Sequence, residues 1–135
     1  MDMLSFFPGL FAFSEFAPLA LRFALGVIFI VHGYPKLFKD FSGAVQFFGA
    51  VGITSSKFLV FIVGAVEFFG GILLLAGAFV QLASVLLALD VLSAIWKAGF
   101  KKGFTGGYEF ELALFAMLVS LLVLGPGAFS LDLPL

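Results

Sequence analysis

Four runs of this sequence are long and apolar enough to cross a lipid bilayer as helices, and they constrain the fold more than any other feature. The runs cover about residues 17–37, 57–79, 82–98 and 109–124. A bilayer core is spanned by about 20 helical residues, and the runs lack the period-two alternation of membrane strands. The sequence therefore predicts an all-α integral membrane protein, a four-helix transmembrane bundle formed by a single domain over residues 1–135.

The composition is typical of a protein whose surface is partly covered by lipid. Hydrophobic residues make up 63% of the 135 residues and charged residues 11%, with a mean hydropathy of +1.25. About a quarter of the residues in an average soluble domain are charged. The net charge of −1 and the lack of a basic run indicate no nucleic-acid partner. The chain has no cysteine and one histidine, which excludes thiol chemistry by the chain itself and argues against a self-contained metal site.

The basic residues predict the orientation. Six lysines lie in or beside the loops over residues 38–56 and 99–108: Lys36, Lys39, Lys57, Lys97, Lys101 and Lys102. The positive-inside rule then predicts that both loops are cytoplasmic and that both termini lie outside, in a multi-pass protein of the plasma membrane. In the first loop, Phe41, Val45 and Phe48 recur at helical spacing, which predicts a short interfacial helix.

Ionisable side chains inside the spans are the candidate functional residues: Arg22, His32, Glu67 and Asp90. A charge at the centre of an isolated membrane helix costs at least ~2.5–3.5 kcal/mol, so such residues face the bundle interior or a polar cavity. At ~1.5 Å per helical residue, Glu67 and Asp90 both fall near mid-membrane, within reach of the long side chain of Arg22. We therefore expect a buried cluster of Arg22, Glu67 and Asp90, with His32 at its edge.

The same helical spacing predicts which residues share a face of each spanning helix. Gly64 and Gly71 share a face with Glu67, as expected where two backbones approach closely. The fourth span presents Glu109, Ala113, Ala116 and Ser120 on one face, which predicts an inward stripe. A structural role remains open for each ionisable residue. Glu67 and Asp90 can fix helix register, Arg22 can extend to the outer headgroups, and His32 can be a helix-end residue.

Four stretches of the chain resemble the DoxX family of small bacterial and archaeal membrane proteins: LRFALGVIFIVHGYPKLF, GAVEFFGGILLLAG, LLALDVLSAI and GGYEFELALFAMLVSLLVLGPGAFSLD. The resemblance covers about residues 19–132. It implies a four-helix membrane protein, often a subunit of an oxidoreductase, and it adds GGYE at the start of the fourth span. The positions that match the family motifs are Arg22, His32, Gly33, Lys36, Glu67, Gly70, Gly71, Asp90, Gly106, Gly107, Tyr108 and Glu109.

The leading hypothesis is a membrane subunit that binds a quinone or a similar small redox ligand and supports an oxidoreductase complex. Its candidate ligand-binding or proton-handling residues are Arg22, His32, Glu67, Asp90, Tyr108 and Glu109, with no metal ligand and no assigned catalytic residue. The sequence shows no redox cofactor motif of its own, so we expect a soluble or membrane redox partner, the lipid bilayer and a homo-oligomer as partners. The alternatives are a membrane scaffold with a structural polar cluster, or a carrier for a small solute or protons.

Overall fold

A computed structural model describes residues 5–54 and 56–132. Its α-helices over these residues are α1 (Phe16–Tyr34), α2 (Phe41–Ala50), α3 (Ser56–Ala76), α4 (Val80–Ala94) and α5 (Glu109–Leu124). Four helical segments are long and apolar enough to cross a membrane: Phe16–Lys39, Ser56–Ala76, Val80–Lys102 and Phe104–Leu124. No strand occurs among the described residues. The predicted all-α membrane bundle of four spanning helices is therefore confirmed.

Short helical turns of other geometry extend the spans. A π-helical turn, Pro35–Lys39, continues α1, and a second one, Ile95–Gly99, followed by a 3-10 turn, Phe100–Lys102, continues α4. The loop between α1 and α3 contains α2, as its apolar spacing predicts. The successive spans alternate in direction, so the lysine-bearing loops meet at one end of the bundle. We call this the lysine end, defined by Lys36, Lys97 and Lys102, and the opposite end the tail end.

The hairpin between α3 and α4 lies earlier in the chain than the sequence predicts. The prediction ended one span at residue 79 and began the next at 82, whereas α3 ends at Ala76 and α4 begins at Val80. Gly77 and Phe79 adopt positive φ angles of 73° and 51° in the turn. The first amides of α4 receive a cap from a distant residue, because the N–H groups of Phe79 and Val80 donate to the carboxylate of Asp132. A carboxylate at this position satisfies helix N-terminal amides and favours an early helix start.

Helices α1 and α3 touch through glycines. A Cβ atom added at Gly26 would lie 2.9 Å from the carbonyl oxygen of Gly71, and one added at Gly71 would lie 2.8 Å from that of Gly26. At Gly33 the added Cβ would lie 2.5 Å from the backbone nitrogen of Phe68. The predicted small-residue face of α3 is therefore confirmed as a close backbone contact.

The tightest part of the core lies towards the tail end. Side chains there are fully buried and come from all four spanning helices: Leu25, Leu74, Leu87, Leu118 and Leu121. The C-terminal segment folds back over this end, where the Leu131 and Asp132 amides donate to the carbonyls of Ala76 and Gly77. One half of the bundle is thus filled and closed, and open space lies in the other half.

Candidate functional site

A cavity of about 820 Å³ occupies the lysine end of the bundle. All four spanning helices line it, and α2 with the loop after it forms one wall through Gly43, Ala44, Phe47 and Phe48. Most of the lining is aliphatic or aromatic. Small-molecule sites commonly have volumes of roughly 300–1,000 Å³, apolar walls and a few convergent polar groups.

The polar centre of the cavity is an ion pair between α3 and the turn that follows α1. The Nζ atom of Lys36 lies 2.6 Å from Oε2 of Glu67. Glu67 is only 6% exposed, and it has this cation beside it although no basic residue is near it in sequence. The close glycine contact of α1 with α3 brings the two residues together. A Cβ atom added at Gly33 would lie 3.0 Å from the Cβ atom of Glu67, and one added at Gly64 would lie 3.0 Å from the Cβ atom of Lys36.

Three further carboxyl groups line the same cavity, those of Asp40, Asp90 and Glu111. Asp90 of α4 lines it together with Glu67 and Lys36, so the structure places the two predicted carboxyl groups in one space. Glu111 of α5 also faces the cavity, and its Oε2 atom is buried without a hydrogen-bond partner. A buried polar atom that lacks a protein partner is a place where water or a ligand can supply one.

His32 lies at the rim. Its side chain is exposed, its Nδ1 atom is 2.8 Å from the carbonyl oxygen of Ile28, and its ring stacks on Phe110 at a centroid distance of 6.1 Å. The residue lines the cavity, as expected for a position at the edge of the cluster. The contact with Ile28 leaves Nε2 as the ring nitrogen available to a ligand.

Arg22 does not belong to this site, and the predicted contact of Arg22 with Glu67 and Asp90 is wrong. Arg22 is 1% exposed at the tail end, where its guanidinium donates to the carbonyl oxygens of Ala128 at 3.2 Å and Phe129 at 2.8 Å. The C-terminal segment supplies these acceptors, and a guanidinium with several fixed N–H donors is suited to bind them.

Tyr108 and Glu109 are also placed outside the cavity. The ring of Tyr108 packs edge-on against Phe100 and Phe104, each at a centroid distance of 5.3 Å. Glu109 is exposed, and its carboxylate accepts a hydrogen bond from the Gly106 amide at 3.1 Å. Both residues organise the turn that leads into α5.

The predicted inward face of α5 is wrong. Its members Glu109, Ala113, Ala116 and Ser120 are all exposed. The buried face contains Leu114, Leu118 and Leu121, and Glu111 continues that stripe one turn earlier, at the i−3 position from Leu114. This spacing is the signal that identifies Glu111 as a cavity residue. The sequence indicates Lys36 and Lys102 only as motif or topology residues and places Lys97 on one polar stripe with Asp90, and all three lysines line the cavity.

Comparison with known proteins identifies the family. The family model for DoxX matches residues 17–99. A protein of Bacillus subtilis (strain 168) named "Putative oxidoreductase CatD" is 36% identical over 118 residues, which cover 87% of this chain and 86% of the relative. No solved structure matches the chain. The family match over most of the chain, together with the four spanning helices, shows that this multi-pass membrane protein belongs to the DoxX family.

Proposed function

We propose that the chain is a membrane subunit that binds a quinone, or a similar small redox ligand, in the lysine-end cavity and supports an oxidoreductase complex. One observation carries the proposal: a buried ion pair of Lys36 and Glu67, with the carboxyl group of Asp90 beside it, projects into a largely apolar cavity of about 820 Å³. The name of the Bacillus subtilis relative, "Putative oxidoreductase CatD", agrees with this class of activity.

The lining has the groups that a quinone ring requires. A flat ring is accommodated between aromatic walls such as Phe47, Phe48 and Phe110. The Lys36 ammonium and the His32 ring supply hydrogen bonds to carbonyl oxygens, which gain negative charge on reduction. Glu67 and Asp90 supply titratable oxygens within the same space, as general acid–base chemistry needs.

The electron and proton balance of quinone reduction indicates what this chain and its redox partner must each supply. Reduction of a quinone to a quinol consumes two electrons and two protons. In this proposal a soluble or membrane redox partner supplies the electrons, while the carboxyl groups of this chain hold and deliver protons to the two ring oxygens. Glu67 and Asp90 line one space, so proton uptake by either carboxyl group lowers the repulsion between them.

The location in the cell is inferred from the same end of the bundle. Lysines gather where the cavity lies, and we assign this end to the cytoplasm by the positive-inside rule. We further infer a plasma-membrane location, with proton entry from the cytoplasmic side. A homo-oligomer within the bilayer completes the proposal.

Equilibrium binding of a tail-less quinone tests the proposed function. Such a ligand is water-soluble, so free and bound forms can be separated by dialysis against protein in phosphatidylcholine nanodiscs. We expect saturable binding with one site per chain. The variants Glu67→Gln and Lys36→Met should weaken it by at least about tenfold, equivalent to ~1.4 kcal/mol, because each removes one member of the ion pair.

Matched controls separate the site from general charge effects. Glu15→Gln and Lys39→Met change exposed residues of the same types that do not line the cavity, and both should bind as the unchanged protein does. Non-saturable binding, or equal binding by the site and control variants, would contradict the proposal and favour a scaffold with a structural polar cluster. Solute flux in proteoliposomes without a redox partner would instead favour a carrier.

A further inference from the structure

A second, smaller cavity lies on the outside of the bundle beside the first. It is a groove of about 400 Å³ at the end of α4 and in the π-helical turn that follows, lined by Leu92, Ser93, Ile95, Trp96, Lys97 and Phe100. Leu92, Trp96 and Phe100 are spaced four residues apart and are all exposed, Trp96 to 75%. These side chains face outward from the bundle within the candidate spanning segment Val80–Lys102, so we take their surroundings to be lipid.

The groove and the internal cavity share part of their walls. Ser93 and Lys97 line both spaces. The Ser93 hydroxyl donates to the Leu89 carbonyl at 2.9 Å and is thus tied to its own helix. Lys97 makes no ion pair or side-chain hydrogen bond within the described part of the chain. One small side chain and one long flexible side chain therefore lie on the boundary between the two spaces.

The π-helical turn is the local cause of this arrangement. Ile95–Gly99 continues α4 with wider i→i+5 bonding, and the Phe100 amide donates to the Ile95 carbonyl. Such turns alter the side-chain register of a helix and occur frequently at functional sites. Here the turn forms the floor of the groove and, through Lys97 and Gly99, part of the internal cavity wall.

From this continuity we propose that the groove holds the hydrocarbon tail of the ligand whose ring lies in the internal cavity. The ligand class is accordingly a membrane-dissolved redox molecule with a ring head and an isoprenoid or alkyl tail. It enters from the bilayer between Ser93 and Lys97. This inference rests on the proposed function and adds the substrate class and the entry route to it.

Binding of the tail in the groove gains no free energy from the hydrophobic effect. A tail that leaves lipid for the groove exchanges one apolar environment for another, so its contribution comes from packing. The serine keeps the passage open because its side chain is small. Enlarging that residue should therefore obstruct a tailed ligand more strongly than a tail-less one that enters from the aqueous lysine end.

A displacement experiment with paired serine variants tests the inference. A radiolabelled tail-less quinone is bound to protein in phosphatidylcholine nanodiscs and is displaced by increasing mole fractions of a long-tailed isoprenoid quinone in the lipid. We expect Ser93→Phe to raise the ratio of the mole fraction needed for half-displacement to the Kd of the tail-less ligand by about tenfold. Ser120→Phe is the control, because Ser120 is also exposed and bonded to its i−4 carbonyl, at 2.8 Å, but lines neither cavity.

Equal displacement from the two serine variants would overturn the groove as the tail site. It would not affect the proposed function, which is tested by binding of the tail-less quinone. Failure of the unchanged protein to bind the tail-less quinone would overturn the proposed function and this inference together. If Ser93→Phe does not fold, Trp96→Ala removes a groove wall instead and should weaken displacement, with Phe23→Ala, another exposed aromatic residue, as its control. Unchanged displacement in Trp96→Ala would count against the groove.

Discussion

Lys36 and Glu67 form an ion pair across two spanning segments, with 2.6 Å between Nζ and Oε2. They are 31 residues apart in the chain and meet because α1 and α3 pack backbone to backbone at Gly33 and Gly64. The pair is largely enclosed: the side chains are 21% and 8% exposed, respectively. The charge that stands alone in the α3 sequence is therefore paired in the fold.

Removing the cation should destabilise the protein more than removing both charges. Lys36→Met leaves the Glu67 carboxylate enclosed without its partner, and the loss should be about 1–3 kcal/mol of unfolding free energy. The double variant Lys36→Met/Glu67→Gln removes both charges and should recover part of that loss. Thermal and denaturant unfolding in detergent of the four members of this double-mutant cycle measure the coupling.

Lys39→Met is the control for that cycle, because Lys39 is exposed and three residues further along the same turn. Its unfolding should stay within about 0.5 kcal/mol of the unchanged protein. Additive effects of Lys36→Met and Glu67→Gln would show that the contact contributes nothing to stability.

Arg22 should prove to be a stability residue and not a ligand-binding residue. Arg22→Gln removes charged hydrogen bonds to the Ala128 and Phe129 carbonyls, and the expected cost is about 1–3 kcal/mol. The affinity for a tail-less quinone should be unchanged, since the cavity lies at the other end of the bundle. Unfolding and binding are measured on the same preparation. Loss of quinone binding with normal stability would show instead that Arg22 contributes to the binding site.

Gly71 should not tolerate a side chain. Gly71→Ala places a methyl group 2.8 Å from the Gly26 carbonyl oxygen and the Ile30 side chain, so α1 and α3 must separate. Overpacking of this kind costs about 1–3 kcal/mol, and the shift at Lys36 and Glu67 should also weaken ligand binding. Gly9→Ala, where a Cβ meets nothing within 4 Å, is the control and should unfold at the same temperature as the unchanged protein.

The orientation of the protein in the membrane can be measured by cysteine labelling. The chain contains no cysteine, so a single introduced thiol is the one site of reaction. A membrane-impermeant maleimide should label Phe11→Cys in intact cells, and should label Lys101→Cys only after the membrane is permeabilised. Both residues are exposed, so accessibility reports the side of the membrane. The reverse pattern would place the lysine end outside and contradict cytoplasmic proton entry.

Helix α5 shows how far sequence reasoning reaches in a membrane protein. Its bounds were predicted correctly as residues 109–124, since the acidic first turn and the GPG stop mark its ends. Its buried face was predicted wrongly. A lipid-exposed helix is apolar on every side, so the contrast between polar and apolar faces that orients a soluble helix is weak. Small and polar residues such as Ala113 and Ser120 were assigned inward, whereas leucines are buried.

The number of spanning helices and their approximate bounds can be predicted from the amino-acid sequence, because a bilayer requires about 20 apolar residues per helix. The positions of the lysines likewise predict that they gather at one end. The sequence also indicates that α3 presents Glu67 on its glycine face. The tertiary structure decided which charges meet. Arg22 binds the C-terminal segment and Lys36 binds Glu67, since these contacts depend on how the chain folds back at the tail end and on how closely α1 approaches α3. Pairings between residues so far apart leave no periodicity in either helix.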